Sequence, residues 1–201
     1  LSGTRDICVR SLCVMAVRLC FRATGASSGN LTLAVNALFM QLYLLYSHFM
    51  DGFAYAGEAL VGKYAGAADK HSLRRCVSHL FAWGCSLAAI FAFAYGVFNH
   101  EVMSLFSDKP EVVAFAAAYR WWIALAPIAG MAAFIWDGVF VGLTATRQML
   151  LSLAGATAVY FAIYFLSPFP DANSSLWTAF LAYLAVRGVI LWLCFARENR
   201  Y

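Results

Sequence analysis

The stretch NALFMQLYLLYSHFMDGFAYAGEALVGKYAGAAD, residues 36–69, carries a row of polar side chains within a mostly apolar run. His48, Asp51, Tyr55 and Glu58 are spaced 3, 4 and 3 residues apart. At about 100° per residue they share an arc of roughly 80° on one helix. The apolar run around them, residues 31–64, is far longer than the 20 or so residues that cross a bilayer. A membrane helix carrying a polar stripe is the simplest reading.

The remaining chain agrees. Of 201 residues, 63% are hydrophobic and only 12% charged, where a soluble domain carries about 25% charged residues. Mean hydropathy is +0.73. So few charges cannot cover a globule without leaving large apolar patches, so the chain is expected in a lipid bilayer. A net charge of +4, dispersed along the sequence, excludes nucleic acid as a partner. Six cysteines (Cys8, Cys13, Cys20, Cys76, Cys85, Cys194) form no CxxC pair and read as small buried hydrophobes. His71, His79 and His100 lack partners at metal-ligand spacing, and no phosphate loop, HExxH or GxSxG is present. Neither a metal site, a cofactor nor an enzyme is expected.

Breaks at polar, Gly and Pro positions divide the chain into six spans: 7–24, 31–64, 76–98, 112–143, 149–166 and 176–196. The predicted fold is all-α, a polytopic six-transmembrane-helix bundle. The second and fourth spans are long enough to need tilt or bending, with Gly52, Gly57 and Pro127 as candidate bends. Alternate connections sort by charge. Arg5, Arg10, Lys63, Lys70, Arg74, Arg75, Arg147, Arg197 and Arg200 fall on one side, Arg22 and Lys109 on the other. The positive-inside rule then puts both termini in the cytoplasm, in an inner (plasma) membrane. The opening residues LSGTRD have neither an initiator Met nor a signal-peptide pattern, so the chain is expected to begin inside a longer protein.

Ionisable residues at membrane depth are functional candidates by default. Asp51, Glu58 and Asp137 qualify as cation or proton sites, because a buried carboxylate changes protonation readily with its surroundings. The competing reading pairs Asp51 and Glu58 structurally with Arg18, Arg120 or Arg187. Pro127, ten residues before Asp137, supplies a kink that frees backbone carbonyls near the acid. Trp121, Trp122, Trp136, Tyr55 and Phe134 are candidates to line a pocket for flat or cationic substrates, with His48 and Arg120 beside them.

The segments 36–69 and PIAGMAAFIWDGVFVGLTATRQM (127–149), with the DG pairs at 51–52 and 137–138, resemble the second and fourth helices of the C-terminal lobe of multidrug and toxic compound extrusion (MATE) transporters, in the DinF-like branch. Asp6 and Arg10 in RDICVRSL are similar to the start of that lobe. The resemblance implies one six-helix lobe of a twelve-helix transporter whose N-terminal lobe is missing here. It further implies efflux of organic cations, drugs or other amphipathic compounds, driven by inward flow of protons or sodium, with Asp137 at a cation-binding position. The alternatives are a flippase of lipid-linked saccharides or polysaccharide exporter, with inward-facing arginines, and a non-transporting structural or regulatory subunit, with every acid matched by an arginine and no cavity.

Overall fold

A computed structural model describes residues 15–17, 19, 23, 29–166 and 171–198. Six helices have both ends among the described residues: α1 (Asn30–Gly66), α2 (Lys70–Val97), α3 (Asn99–Phe106), α4 (Pro110–Gly142), α5 (Thr146–Leu166) and α6 (Ala172–Glu198). The described residues contain no strand. All but α3 are long and apolar enough to cross a membrane. The chain is an all-α, multi-pass membrane protein. Most of the first expected span, Arg18 and Arg22 included, lies outside the described residues; Met15, Ala16, Val17, Leu19 and Ala23 within it are helical.

Several boundaries differ from those expected. α2 starts at Lys70, not 76, because Asp69 caps it: the Ser72 amide donates to Asp69 Oδ1 at 3.0 Å. Its charged first turns therefore belong to the helix. Residues 99–106, expected in a connection, form the short α3. Residues 146–148, outside the expected spans, open α5. α1 runs uninterrupted through Gly52 and Gly57, and α4 through Pro127. The chain reverses after α4 in residues 143–145, where Thr144 takes φ 56°; the α1–α2 turn does the same with Ala68 at φ 55°. In each, the next residue's N–H reaches back five residues, Asp69 to the Tyr64 carbonyl and Ala145 to that of Phe140, closing both helices in the same left-handed cap.

α4 is the hub, packing on α1, α2 and α6. Its glycines set the spacing. A Cβ on Gly138 would lie 2.1 Å from the Ala54 carbonyl oxygen, and one on Gly142 2.6 Å from that of Glu58. α1 and α4 thus run parallel with backbones in contact, as small residues allow between membrane helices. On the α6 side a Cβ on Gly188 would lie 2.9 Å from Ala132 Cβ.

Two apolar cores fill the bundle, one around Phe39, Ile123 and Trp177, the other around Met50, Trp136 and Phe140. The first holds a buried polar clasp: Asn36 Nδ2 donates to Asn173 Oδ1 at 2.7 Å, and Trp177 Nε1 donates to Asn36 Oδ1 at 3.0 Å. It ties the beginning of α1 to that of α6.

Candidate functional site: a charged cavity between three helices

Parallel packing of α1 and α4, with α6 alongside, leaves a cavity of about 420 Å³. α1 contributes one continuous face: Leu44, Ser47, Asp51, Ala54, Tyr55 and Glu58. The steps of 3 and 4 between these residues are those of a single helical face. α4 contributes Phe134, Asp137, Gly138 and Val141, and α6 contributes Phe180, Tyr183, Leu184 and Arg187.

Across the cavity wall the Arg187 guanidinium Nη2 donates to Asp137 Oδ2, joining α6 to α4. Both side chains are mostly buried, at 15% and 18% exposure. Removing either partner strands a charge in low dielectric, which is why such groups stay paired. Each member directly precedes a glycine at a close helix contact, Gly138 against Ala54 and Gly188 against Ala132. The backbone approach fixes where the two charges meet. Arg187 engages Asp137 through Nη2, and its buried Nε has no partner among the described residues.

Asp51 is half-buried and Glu58 exposed, on the α1 wall facing the pair. Among the described residues neither makes a side-chain hydrogen bond or ion pair. The described lining therefore carries three carboxylates and one guanidinium. No group of three or more His, Cys, Asp or Glu among the described residues is placed to hold a metal ion.

Of the residues singled out from sequence, the cavity brings together Asp51, Tyr55, Glu58, Phe134 and Asp137. Arg187 joins them, but its partner is Asp137 rather than Asp51 or Glu58. The other candidates lie elsewhere. His48 is exposed, its Nδ1 on the Leu44 carbonyl of its own helix. Ser47, not His48, continues the acidic face. Trp136 is buried on another side of α4, its ring against those of Phe81, Phe140 and Phe195. Trp121 is exposed, with the Arg120 guanidinium stacked over its ring at 5.0 Å, and Trp122 packs on the first core. These three residues lie fifteen to seventeen positions before Asp137, about 23–26 Å along the helix. Pro127 is buried, and its carbonyl accepts a 2.9 Å hydrogen bond from the Tyr46 hydroxyl. Ser47, Tyr183 and Phe180 were not singled out from sequence. Ser47 was available from its place four residues before Asp51, while the two α6 aromatics carry no local signal.

The MatE family profile matches residues 7–166. DNA damage-inducible protein F of Escherichia coli (strain K12) is 32% identical over 203 residues, an alignment taking in all of this chain and 43% of that protein. Protein DETOXIFICATION 45, chloroplastic, of Arabidopsis thaliana is 22% identical over 180 residues, 90% of this chain and 32% of its own length. Protein DETOXIFICATION 43 of the same plant is 23% identical over 180 residues, 34% of its length. The chain spans less than half of each of these relatives.

Proposed function

This chain belongs to the MatE family of membrane transporters, in its DinF-like branch, and on that premise we propose that it is the C-terminal lobe of a cation-coupled exporter of organic cations or other amphipathic compounds. The partner lobe is a second set of helices of the same protein. The coupling ion is a proton or sodium, and the membrane is the inner one, with both ends of this segment cytoplasmic. α1, α4 and α6 run parallel, which brings Lys63, Lys70, Arg74, Arg75, Arg147 and Arg197 to one end of the bundle, in keeping with that orientation.

The observation that carries the proposal is the Asp137–Arg187 pair set in the wall of a cavity whose opposite face holds Asp51 and Glu58. In this reading, ion binding or protonation at Asp137 removes the charge that holds Arg187. The freed guanidinium then stands beside two further carboxylates, and the cavity's attraction for a cationic substrate falls. An ion drives transport in this way only if it binds one facing state more tightly than the other. Among the described lining residues, one guanidinium against three carboxylates favours a cationic cargo over a pyrophosphate-linked saccharide. A cavity in which only one acid has an arginine partner among the described residues also favours transport over a purely structural subunit.

The test is Asp137→Asn in the full-length protein. Coupled export, normalised to the amount of inserted protein, is expected to be abolished in mutant protein that still inserts in the membrane. Unchanged efflux from a normally inserted mutant rejects the role of Asp137.

A further inference from the structure

A second groove, of about 600 Å³, lies between α1 and α2 at the basic end of the bundle. The two helices are antiparallel across a turn of residues 67–69, so the groove can be read by depth. Nearest the turn it is lined by Ser72 and Arg75, one turn deeper by His79, and deeper still by Trp83, with Leu60 and Phe53 of α1 along its floor. From Ser72 to Trp83 is eleven residues, about 16 Å of helix. Over that length the lining passes from guanidinium and hydroxyl to indole and phenyl.

The polar end is available. Arg75 is exposed, and its side chain forms no ion pair among the described residues. His79 Nδ1–H donates to the Arg75 carbonyl at 2.8 Å, so the second ring nitrogen, Nε2, donates to a phosphate oxygen in the imidazolium form. The apolar end is equally open: Trp83 is 66% and Leu60 41% exposed. A basic end continuous with an exposed apolar trough, on a helix pair long and apolar enough to span the bilayer, matches a molecule with a phosphate at one end and a hydrocarbon chain at the other. Zwitterionic lipids lack the net charge that Arg75 calls for, and soluble phosphate lacks the chain.

We propose that this groove seats one anionic phospholipid, its phosphate at Arg75 and His79 and an acyl chain along Phe53, Leu60 and Trp83. The seat is separate from the transport cavity and does not depend on the coupling mechanism.

The experiment uses the full-length protein in a neutral detergent, titrated with phosphatidylglycerol, with phosphatidylcholine of the same acyl chains, and with inorganic phosphate, and read by native mass spectrometry and by thermal midpoint. Phosphatidylglycerol is expected to bind and raise the midpoint where the other two do not. Arg75→Gln should lower its apparent affinity about five-fold, the effect of one basic residue near the membrane surface, without changing the lipid-free midpoint. Trp83→Ala should weaken binding with the charge intact, and His79→Gln gives a second polar-end variant should the Arg75 change impair folding. Equal binding of the two lipids, or phosphatidylglycerol binding unaltered in both polar-end variants, overturns the proposal. A midpoint shift reproduced by inorganic phosphate alone also overturns it, since the acyl trough would then have no part.

Discussion

Gly138 and Ala54 meet backbone to backbone: a methyl group on Gly138 would lie 2.1 Å from the Ala54 carbonyl oxygen and 2.7 Å from its Cα. Neither obstacle is a movable side chain tip. Gly138→Ala must therefore push α1 from α4, at a cost of about 1–3 kcal/mol, and widen the space between Asp51 and Asp137. A lowered thermal midpoint together with reduced export is expected for Gly138→Ala. Gly52→Ala, with nothing within 4 Å of the added carbon, serves as the control that should lower neither midpoint nor export.

The pair of Asp137 and Arg187 makes a non-additive prediction. Asp137→Asn and Arg187→Gln each leave a mostly buried charge unmatched, and each should destabilise by about 2–3 kcal/mol. The double substitution removes both charges and should cost clearly less than the sum of the two. A double-mutant cycle on chemical or thermal unfolding in detergent measures the coupling. Strict additivity would mean that the contact has no energetic weight.

Thr144 holds a left-handed backbone, φ 56°, as a β-branched residue, a conformation that suits glycine far better. Thr144→Gly should stabilise the α4–α5 turn by up to about 1 kcal/mol, the relief of strain being partly offset by greater freedom of the unfolded chain. Ala68→Gly should act in the same direction at the α1–α2 turn. A midpoint that falls in both variants would show that the turn conformation is not strained.

Asp69 caps α2 from outside the apolar segments, and hydrogen bonds from the Ser72 hydroxyl and amide hold its carboxyl below the ordinary aspartate range. The native state thus binds this proton less readily than the unfolded chain. The cap's contribution is fully present above the ordinary pKa near 4 and fades as pH falls through the lower folded value. Protection of the first-turn amides of α2, taken as their exchange rate relative to the unfolded rate at the same pH, should fall over that acid window in the wild type. In Asp69→Asn, which keeps an acceptor but cannot ionise, the acid dependence should vanish.

The membrane helices were legible because lipid imposes long apolar runs, and the polar stretch at 66–75 marked the turn that falls at residues 67–69. The start of α2 was not, since Lys70, Arg74 and Arg75 look like loop until Asp69 is recognised as a cap. α3 was hidden because NHEVMSLF is eight residues of mixed character inside a polar connection. In the cavity, the acids were visible as charges out of place in hydrocarbon. The phase of the α1 face was misjudged by one residue: His48 and Ser47 stand three and four before Asp51, and periodicity alone accepts either. Trp136 adjoins Asp137 in sequence but lies about 100° around the helix, so it belongs to the core instead. The Asp137–Arg187 contact spans fifty residues and has no periodic signature. In hindsight its trace is the glycine that follows each partner.

The clasp of Asn36, Asn173 and Trp177 limits how the chamber can change shape. Asn36 lies fifteen residues from Asp51, about 22 Å along α1. With α1 and α6 pinned at that far end, whatever opens or narrows the chamber while leaving the clasp intact must swing like a pair of tongs about it. A swing of roughly 5° would carry Asp51 about 2 Å over that arm, enough to make or break a hydrogen bond with a small cation's hydration shell. Three uncharged side chains at one end thus act as the fulcrum for the electrostatics at the other.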